Sequence, residues 1–257
     1  MKKLSLVGLL LCLFAAAGAA GQDLRRPAVD GVFYEKDPGR LAASLKRLLD
    51  AVDPRPIEGE VLALVAPHAA YACSGPTAAL AYRQVGDRRY DAVVIIGPSH
   101  HVGFEGCSIY PRGGYETPLG VAAVDEALAA ELGRRTGFGF TPEAHVREHS
   151  VEVQVPFVQT VLPGVPIVPV VMGFADRRAV RTLAEGLTAA RAGRKILVVA
   201  STDLSHHLPR GRAARVDAET VGLIKAGNVA ALFRKYERQG NVFCGGGAVL
   251  AALLYAQ

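Results

Sequence analysis

Histidine side chains able to bind a metal ion or carry a proton lie in four short segments of this 257-residue chain. Imidazole is a common transition-metal ligand, and it titrates near neutral pH. The histidines are His68 in APHAAY, His100 and His101 in GPSHH, His145 and His149 in EAHVREHS, and His206 and His207 in STDLSHH. Three of the four segments directly follow a predicted buried strand. Because the carboxyl ends of parallel strands share one edge of a sheet, these imidazoles are expected to meet there.

Two further side chains could take part in such a site. Asp203 precedes His206 by three residues and could either orient that imidazole or cap a helix. Cys244 is followed by three glycines at a predicted helix start. It could be a small buried hydrophobe, or a thiol of lowered pKa in a turn whose backbone passes close to a ligand. His145 and His207 are expected at the solvated surface.

The metal-site prediction depends on placement and not on a short motif. Neither the H-E-x-x-H nor the C-x-x-C zinc pattern occurs in the chain. His68 and His100 each follow a predicted strand, and His206 follows a later one. We therefore predict that histidines of these segments converge with Cys244 on one metal-binding pocket at this edge of the sheet.

Four apolar, β-branched runs predict the strands that position these residues. They cover residues 61–66, 92–96, 167–171 and 196–200. Continuous apolar runs are typical of parallel strands that are buried on both faces. Pro169 lies inside the third run and predicts an edge strand or a bulge there.

Amphipathic segments alternate with these runs and predict helices. Asp37 and Pro38 form an N-cap and a first helical residue for a helix ending near Val52. The other predicted helices cover residues 77–84, 124–135, 176–190, 212–238 with a break near Gly227, and 245–256. Residues 110–120 are predicted to be a connection. The alternation predicts a single α/β domain over residues 22–257, a three-layer sandwich with a mainly parallel central sheet.

The first 21 residues predict a cleaved secretory signal peptide. Lys2 and Lys3 precede an apolar run at residues 4–14, and small residues follow at 15–21. Export to the periplasm or the extracellular space follows from this interpretation, and the alternative is an uncleaved N-terminal anchor helix. Removing both lysines lowers the formal net charge from +5 to +3. The remaining charges form no basic stripe with aromatic residues, so neither a nucleic-acid partner nor a membrane span is predicted for the mature chain.

Three cysteines remain after the predicted cleavage, namely Cys73, Cys107 and Cys244. They are too few for a disulfide scaffold. Either one disulfide with one functional thiol or three buried thiols would fit this number.

Several ordered motifs together resemble the MEMO family, protein B of the AmmeMemoRadiSam system. They are RPAVDGVFY (26–34), APHAAY (66–71), GPSHH (97–101), EHS (148–150), STDLSH (201–206) and FCG (243–245). The resemblance runs from about residue 25 to the end of the chain. It implies the fold of class III extradiol dioxygenases, which is called LigB-like.

The resemblance also implies site residues and a cofactor. His68 and His100 match the two histidine ligands of the dioxygenases, and Cys244 stands where those enzymes have a carboxylate. His206 matches their acid–base histidine, with Asp203 beside it. The implied cofactor is iron or copper, and the implied partner is a small molecule or a protein of the AmmeMemoRadiSam system.

The sequence departs from the family pattern at two places. Ala70 stands where the family usually has a glycine, so a negative φ is expected there. The closing strand of the family has no counterpart after residue 256, and the chain is therefore expected to lack it.

Three functions fit these observations. The first is a redox-metal-binding protein. Imidazole and thiolate ligands suit iron, copper or zinc, exclude magnesium and calcium, and favour softer ions such as Cu(I). The second is an extradiol-type dioxygenase that acts on a phenolic substrate. The third is a non-catalytic binding module that retains a vestigial dioxygenase pocket.

Overall fold

The computed structural model describes residues 23–53, 55–238 and 243–257. The predicted signal peptide (1–21) and its cleavage site lie outside these residues. The described chain is a mixed α/β fold with two sheets. Its strands are β1 (Leu24–Arg25), β2 (Ala63–Ala66), β3 (Ala92–Pro98), β4 (Cys107–Ile109), β5 (Gly114–Thr117), β6 (Gly120–Ala123), β7 (Ile167–Met172) and β8 (Ile196–Ser201). Its helices are α1 (Pro38–Asp50), α2 (Tyr71–Tyr82), α3 (Glu126–Thr136), α4 (Pro142–Val146), α5 (His149–Glu152), α6 (Val155–Val161), α7 (Arg177–Ala190), α8 (Arg210–Lys225), α9 (Val229–Arg238) and α10 (Gly246–Ala256).

The larger sheet has the strand order β2-β8-β3-β7-β4. Strands β2, β8, β3 and β7 pair in parallel, whereas β4 pairs antiparallel with β7, so this sheet is mixed. Every residue of β7 and β8 is buried, as are the first six residues of β3. Each of the four runs predicted as strands overlaps one of these parallel strands, whereas the three-residue β4 was not predicted.

The prediction that Pro169 marks an edge strand or a bulge is wrong. β7 lies between β3 and β4, and Pro169 pairs in regular register with Ile95. The carbonyl oxygen of Pro169 accepts a hydrogen bond from the backbone of Tyr110, one residue beyond the end of β4. Because the N–H and C=O groups of one residue point to the same side of a strand, the nitrogen of Pro169 also faces the side of β7 on which β4 lies, and not β3. The missing donor therefore removes no hydrogen bond from within β3–β7.

Part of the segment predicted as a connection forms the second sheet. β5 and β6 are an antiparallel pair, and β1 adds to β5 in parallel. These strands contain only two to four residues each. The glycine-rich composition of residues 110–120 concealed them, because glycine is unfavourable in strands and common in turns.

Helix capping follows the sequence closely. Asp37, Asp125 and Asp176 each accept a hydrogen bond from a backbone N–H in the first turn of α1, α3 and α7. Gly227, with a φ of 60°, separates α8 from α9 as predicted. Helix α2 begins at Tyr71, six residues before the predicted start, and contains Pro76. The helices α4, α5 and α6 are too short to show a helical period, and the sequence did not predict them.

Two groups of helices pack against the larger sheet. One group contains α1, α2, α5 and α6, and the other contains α3, α7, α9 and α10. In the second group α10 contacts β2, β3 and β8 directly and also packs on α7. None of the described helices is both long enough and apolar enough to cross a membrane.

A buried arginine joins β1 to the segment that carries α4 and α5. Arg25 forms an ion pair with Glu152, and the side chains are 3% and 0% exposed. Its guanidinium also donates to the carbonyl oxygens of His145 and Glu148, at 3.0 and 2.8 Å. Glu152 accepts further hydrogen bonds from the backbone of Ala28 and from the hydroxyl of Tyr34. The N-terminal segment is therefore connected to residues 145–152 through buried charged groups.

The expected surface position of His145 is wrong, although His207 is exposed as predicted. His145 is 1% exposed. Its Nε2 lies 2.9 Å from the hydroxyl of Ser108, and its Nδ1 lies 2.7 Å from the hydroxyl of Tyr115. Burial, together with the nearby charge of Arg25, lowers the pKa of His145 to about 3. The imidazole is neutral and joins the second sheet to α4.

Replacing Arg25 should strongly destabilise the protein. R25A leaves the Glu152 carboxylate buried without its cation, and breaking a buried ion pair in this way costs about 3–5 kcal/mol. The matched control is R26A, because Arg26 pairs with Glu116 and its side chain is 76% exposed. Losing a surface pair costs about 0–1 kcal/mol. Urea unfolding of both variants measures the two losses, and an equal loss in each would contradict the role given to Arg25.

Candidate metal centre

Three adjacent parallel strands place candidate residues at one edge of the larger sheet. His68, His100 and Asp203 each lie two residues beyond the end of β2, β3 and β8, respectively. Because β8 lies between β2 and β3, the three side chains start close together. Ala70, in the loop after β2, has a φ of −54°, in agreement with the negative value expected there.

Cys244 reaches the same edge from the start of α10. The backbone at Gly245 lies so close to β8 that an added Cβ would be 2.1 Å from the carbonyl oxygen of Ser201. Only glycine allows this approach. An added Cβ at Gly246 or Gly247 would instead meet Tyr236 or Met172. The glycines therefore serve the close packing of the helix start.

The ligand atoms of His68, His100 and Cys244 lie within 4.8 Å of one another. The Cys244 Sγ is 3.1 Å from Nε2 of His68. A metal ion bound to nitrogen and sulfur needs distances of about 2.0–2.3 Å to each. The three residues are therefore gathered at the spacing that a shared ion requires.

The neighbours of His68 determine which of its nitrogens carries the proton. Nδ1 lies 2.9 Å from the Oγ of Ser201. That hydroxyl donates to the carbonyl oxygen of Ser150 and accepts from the side-chain amide of Gln154. Since a hydroxyl has one proton to donate, Nδ1 of His68 must be the donor to Ser201. The lone pair of Nε2 is then directed at Cys244 and is available to a metal ion.

Glu148 orients His100 in a similar way. Its carboxylate accepts hydrogen bonds from the backbone N–H of His100 at 2.6 Å and from Nδ1 at 2.9 Å. It also accepts from the backbone of Ser150 at 2.8 Å. Burial would raise the pKa of Glu148, but these hydrogen bonds outweigh burial and lower the pKa to about 2. The carboxylate is ionised, and Nε2 of His100 faces the other ligand atoms.

Without a metal ion, Cys244 and His100 form a thiolate–imidazolium pair at neutral pH. Burial opposes charge on both groups. A hydrogen bond from His100 nevertheless contributes most to lowering the pKa of Cys244 to about 6. Hydrogen bonds to Cys244 and Glu148 raise the pKa of His100 to about 9. The Cys244 thiol is therefore already deprotonated at pH 7, the form in which cysteine binds metals.

The other two cysteines of the predicted mature chain differ from Cys244. Cys73, Cys107 and Cys244 are all free thiols, so the predicted alternative with a disulfide is wrong. Cys73 is exposed, which also departs from the alternative of three buried thiols. Burial raises the pKa of Cys107 to about 12, and this thiol is unreactive at neutral pH.

Asp203 positions both His68 and Cys244. Its carboxylate accepts a hydrogen bond from the backbone of His68 at 2.8 Å, and its own N–H lies 3.3 Å from Sγ of Cys244. The side chain therefore does not cap a helix, which was the alternative interpretation. His206 is exposed, and its ring lies beside that of His207, with centroids 6.2 Å apart. The structure does not bring His206 against the three ligand atoms.

Two neighbours of the site, Glu148 and His149, were not assigned a role from the sequence. The ring of His149 stacks on His100 with centroids 4.5 Å apart and lies edge-on to His68 at 5.4 Å. Burial lowers the pKa of His149 to about 4 despite the opposing charge of Glu148, so this ring is neutral at pH 7. No predicted strand precedes the EHS segment, and only its place among the MEMO-like motifs pointed to the site.

Removing the charge of Glu148 should weaken metal binding. An E148Q side chain offers His100 a single uncharged acceptor, and loss of such a support typically lowers metal affinity about 10–100-fold. E143Q is the control, because Glu143 is exposed on α4. Competition with a chromophoric chelator for zinc measures both affinities. If E148Q and E143Q bind zinc equally well, Glu148 does not support the ligand set.

Metal binding should release protons in a pH-dependent manner. At pH 7.5 Cys244 is a thiolate and His100 is protonated, so these two groups should release about one proton per zinc ion. At pH 5 both are protonated, and their release should rise to about two. Calorimetry in buffers of different ionisation enthalpy measures this number, and the rise should be smaller in C244S. A release that falls between pH 7.5 and 5 would contradict the thiolate–imidazolium pair.

Comparison with known proteins shows which family the chain belongs to. Residues 25–257 match the family model described as Memo-like protein. The chain is 34% identical over 241 residues to a MEMO1 family protein of Methanothermobacter thermautotrophicus, covering 90% of this chain and 87% of the relative. It is 33% identical over 244 residues to one of Caldivirga maquilingensis, covering 91% and 86%. It is 34% identical over 249 residues to one of Sulfolobus acidocaldarius, covering 91% and 88%. This chain therefore belongs to the MEMO family.

Proposed function

We propose that this protein binds a redox-active metal ion, iron or copper, through Nε2 of His68, Nε2 of His100 and Sγ of Cys244. The observation that carries the proposal is the convergence of these atoms within 4.8 Å at one edge of the sheet. Both Nδ1 atoms are engaged by neighbouring side chains, which leaves both Nε2 atoms for the ion.

The chemistry of the donor set supports a transition metal. Two imidazoles and one thiolate suit iron, copper or zinc, and they do not suit magnesium or calcium. The thiolate favours softer ions such as Cu(I). When bound, iron or copper would supply one-electron redox chemistry at this edge of the sheet.

The finer features of the fold are also part of the proposal. We infer a LigB-like three-layer sandwich within a single domain of residues 22–257. The parallel pairing of β2, β8, β3 and β7 and the two helix groups support this inference. Export by a cleaved signal peptide stays a prediction from the sequence, as does a partner from the AmmeMemoRadiSam system.

A second ligand group keeps the dioxygenase alternative open to test. His100, Glu148 and His149 also gather one ligand atom each within 4.8 Å. Two histidines and one carboxylate are the ligand set of many non-haem ferrous oxygenases. However, the Glu148 carboxylate already accepts three hydrogen bonds from His100 and Ser150. The group with Cys244 is therefore the better supported of the two.

The acid–base role of His206 remains a proposal, with Asp203 as its companion at the same sheet edge. The neighbouring His207 has a φ of 57°, which is uncommon for a residue other than glycine. This backbone conformation lies in the loop between β8 and α8. A change in that loop could bring the His206 imidazole toward a ligand bound at the metal ion.

Elemental analysis after anaerobic purification tests these proposals. The wild-type protein and H207A should retain iron or copper, whereas H68A, H100A and C244S should lose it. H206A should keep the metal but react differently with oxygen. Turnover of a catechol with oxygen would favour the dioxygenase. Absence of metal even after anaerobic loading with Fe(II) and Cu(I) would overturn the proposal in favour of a non-catalytic module.

A further inference from the structure

A basic pocket lies at the opposite edge of the same strands. It is formed by the turns that precede β2, β3 and β8, and its volume is about 580 Å³. This volume falls within the range of about 300–1,000 Å³ that small-molecule sites occupy. The pocket is lined by Glu60, Val61, Leu62, Arg88, Arg89, Tyr90, Arg191, Gly193, Arg194, Lys195 and Ile196. Five of these side chains are cationic and one is acidic.

Two of the cations are already neutralised by carboxylates. Arg191 pairs with Glu60 at 2.9 Å, and Arg194 pairs with Asp125. Among the described residues, no ion pair includes Arg88, Arg89 or Lys195. The pocket therefore keeps three positive side chains without an internal counter-charge.

The guanidinium of Arg88 is fixed in place without being neutralised. It donates to the carbonyl oxygens of Gln84, Gly59 and Ile57. These bonds use three of its five N–H donors, so two donors remain for a ligand. A side chain held in this way loses little conformational entropy when it binds. Arg89 and Lys195 are exposed on the two neighbouring turns and can adjust to the ligand.

We propose that the basic pocket binds a small molecule through a diphosphate or triphosphate group. Guanidinium forks match phosphate oxygens in bidentate geometry. Three unneutralised cations on neighbouring turns favour a ligand with several anionic oxygens over one with a single carboxylate. The proposal is independent of the metal centre, because the pocket lies at the amino ends of β2, β3 and β8 and the metal centre at their carboxyl ends.

Calorimetric titration of the intact protein with inorganic pyrophosphate tests this proposal. Saturable binding with one site is expected, and inorganic monophosphate should bind more weakly. R89A/K195A should bind at least about tenfold more weakly, because hydrogen bonds to charged groups are lost. The control R40A/R134A removes two exposed charges from helices α1 and α3, away from the pocket, and should bind as wild type does.

A further control separates the basic pocket from the metal centre, since pyrophosphate also binds metal ions. H100A alters the metal centre alone and should leave pyrophosphate binding unchanged. Absence of saturable binding would overturn the proposal. So would wild-type affinity in R89A/K195A, an equal loss in R40A/R134A, or equally tight binding of a poly-glutamate peptide, which would indicate an acidic protein partner instead.

Discussion

The parallel pairing of β8 with β2 on one side and with β3 on the other is the constraint on which the molecule depends. It forces the three carboxyl ends to one edge, where His68, Asp203 and His100 leave the sheet. The same pairing forces the three amino ends to the opposite edge, where the basic pocket lies. No side chain needs to move far for either site to form, because the register of the strands has already brought them together.

The buried Arg25–Glu152 pair is the second constraint. Arg25 binds the backbone at residues 145 and 148, so the turn before α5 cannot shift without breaking buried hydrogen bonds to a charged group. The Glu148 side chain, which leaves this turn, then holds His100 through both its backbone N–H and its ring. A two-residue strand far from the metal centre in sequence thus helps to fix the direction of one ligand.

The sequence predicted the parts of the fold that have a strong local signal. The four parallel strands are continuous β-branched runs. The helices capped by Asp37 and Asp176 begin within one residue of their predicted starts. Short elements without a period were missed, including β5, β6 and α5. His145 was placed at the surface because polarity alone suggests exposure, whereas the hydroxyls of Ser108 and Tyr115 satisfy both of its nitrogens in the interior.

The candidate site was predictable only where it depends on the order of the strands. His68 and His100 follow strands, so their convergence could be inferred from topology. The contributions of Glu148 and His149 could not, because they depend on how a segment with no strand of its own packs against β3. An added Cβ at Gly97 would lie 2.3 Å from the hydroxyl of Ser150, which shows how closely that segment approaches the strand. Such a close approach is a property of tertiary packing and leaves no periodic trace in the sequence.

The ligand set is held together before any ion binds, and the charges explain how. A thiolate alone in this partly buried place would be costly, and so would an imidazolium. Placed side by side, with the Glu148 carboxylate behind the imidazolium, they stabilise one another. A metal cation would replace the imidazolium proton, and the hydrogen bonds that Ser201 and Glu148 accept from His68 and His100 would remain. The supporting residues would therefore serve the metal-free and a metal-bound arrangement alike, and binding would require exchange of a proton more than rearrangement of the chain.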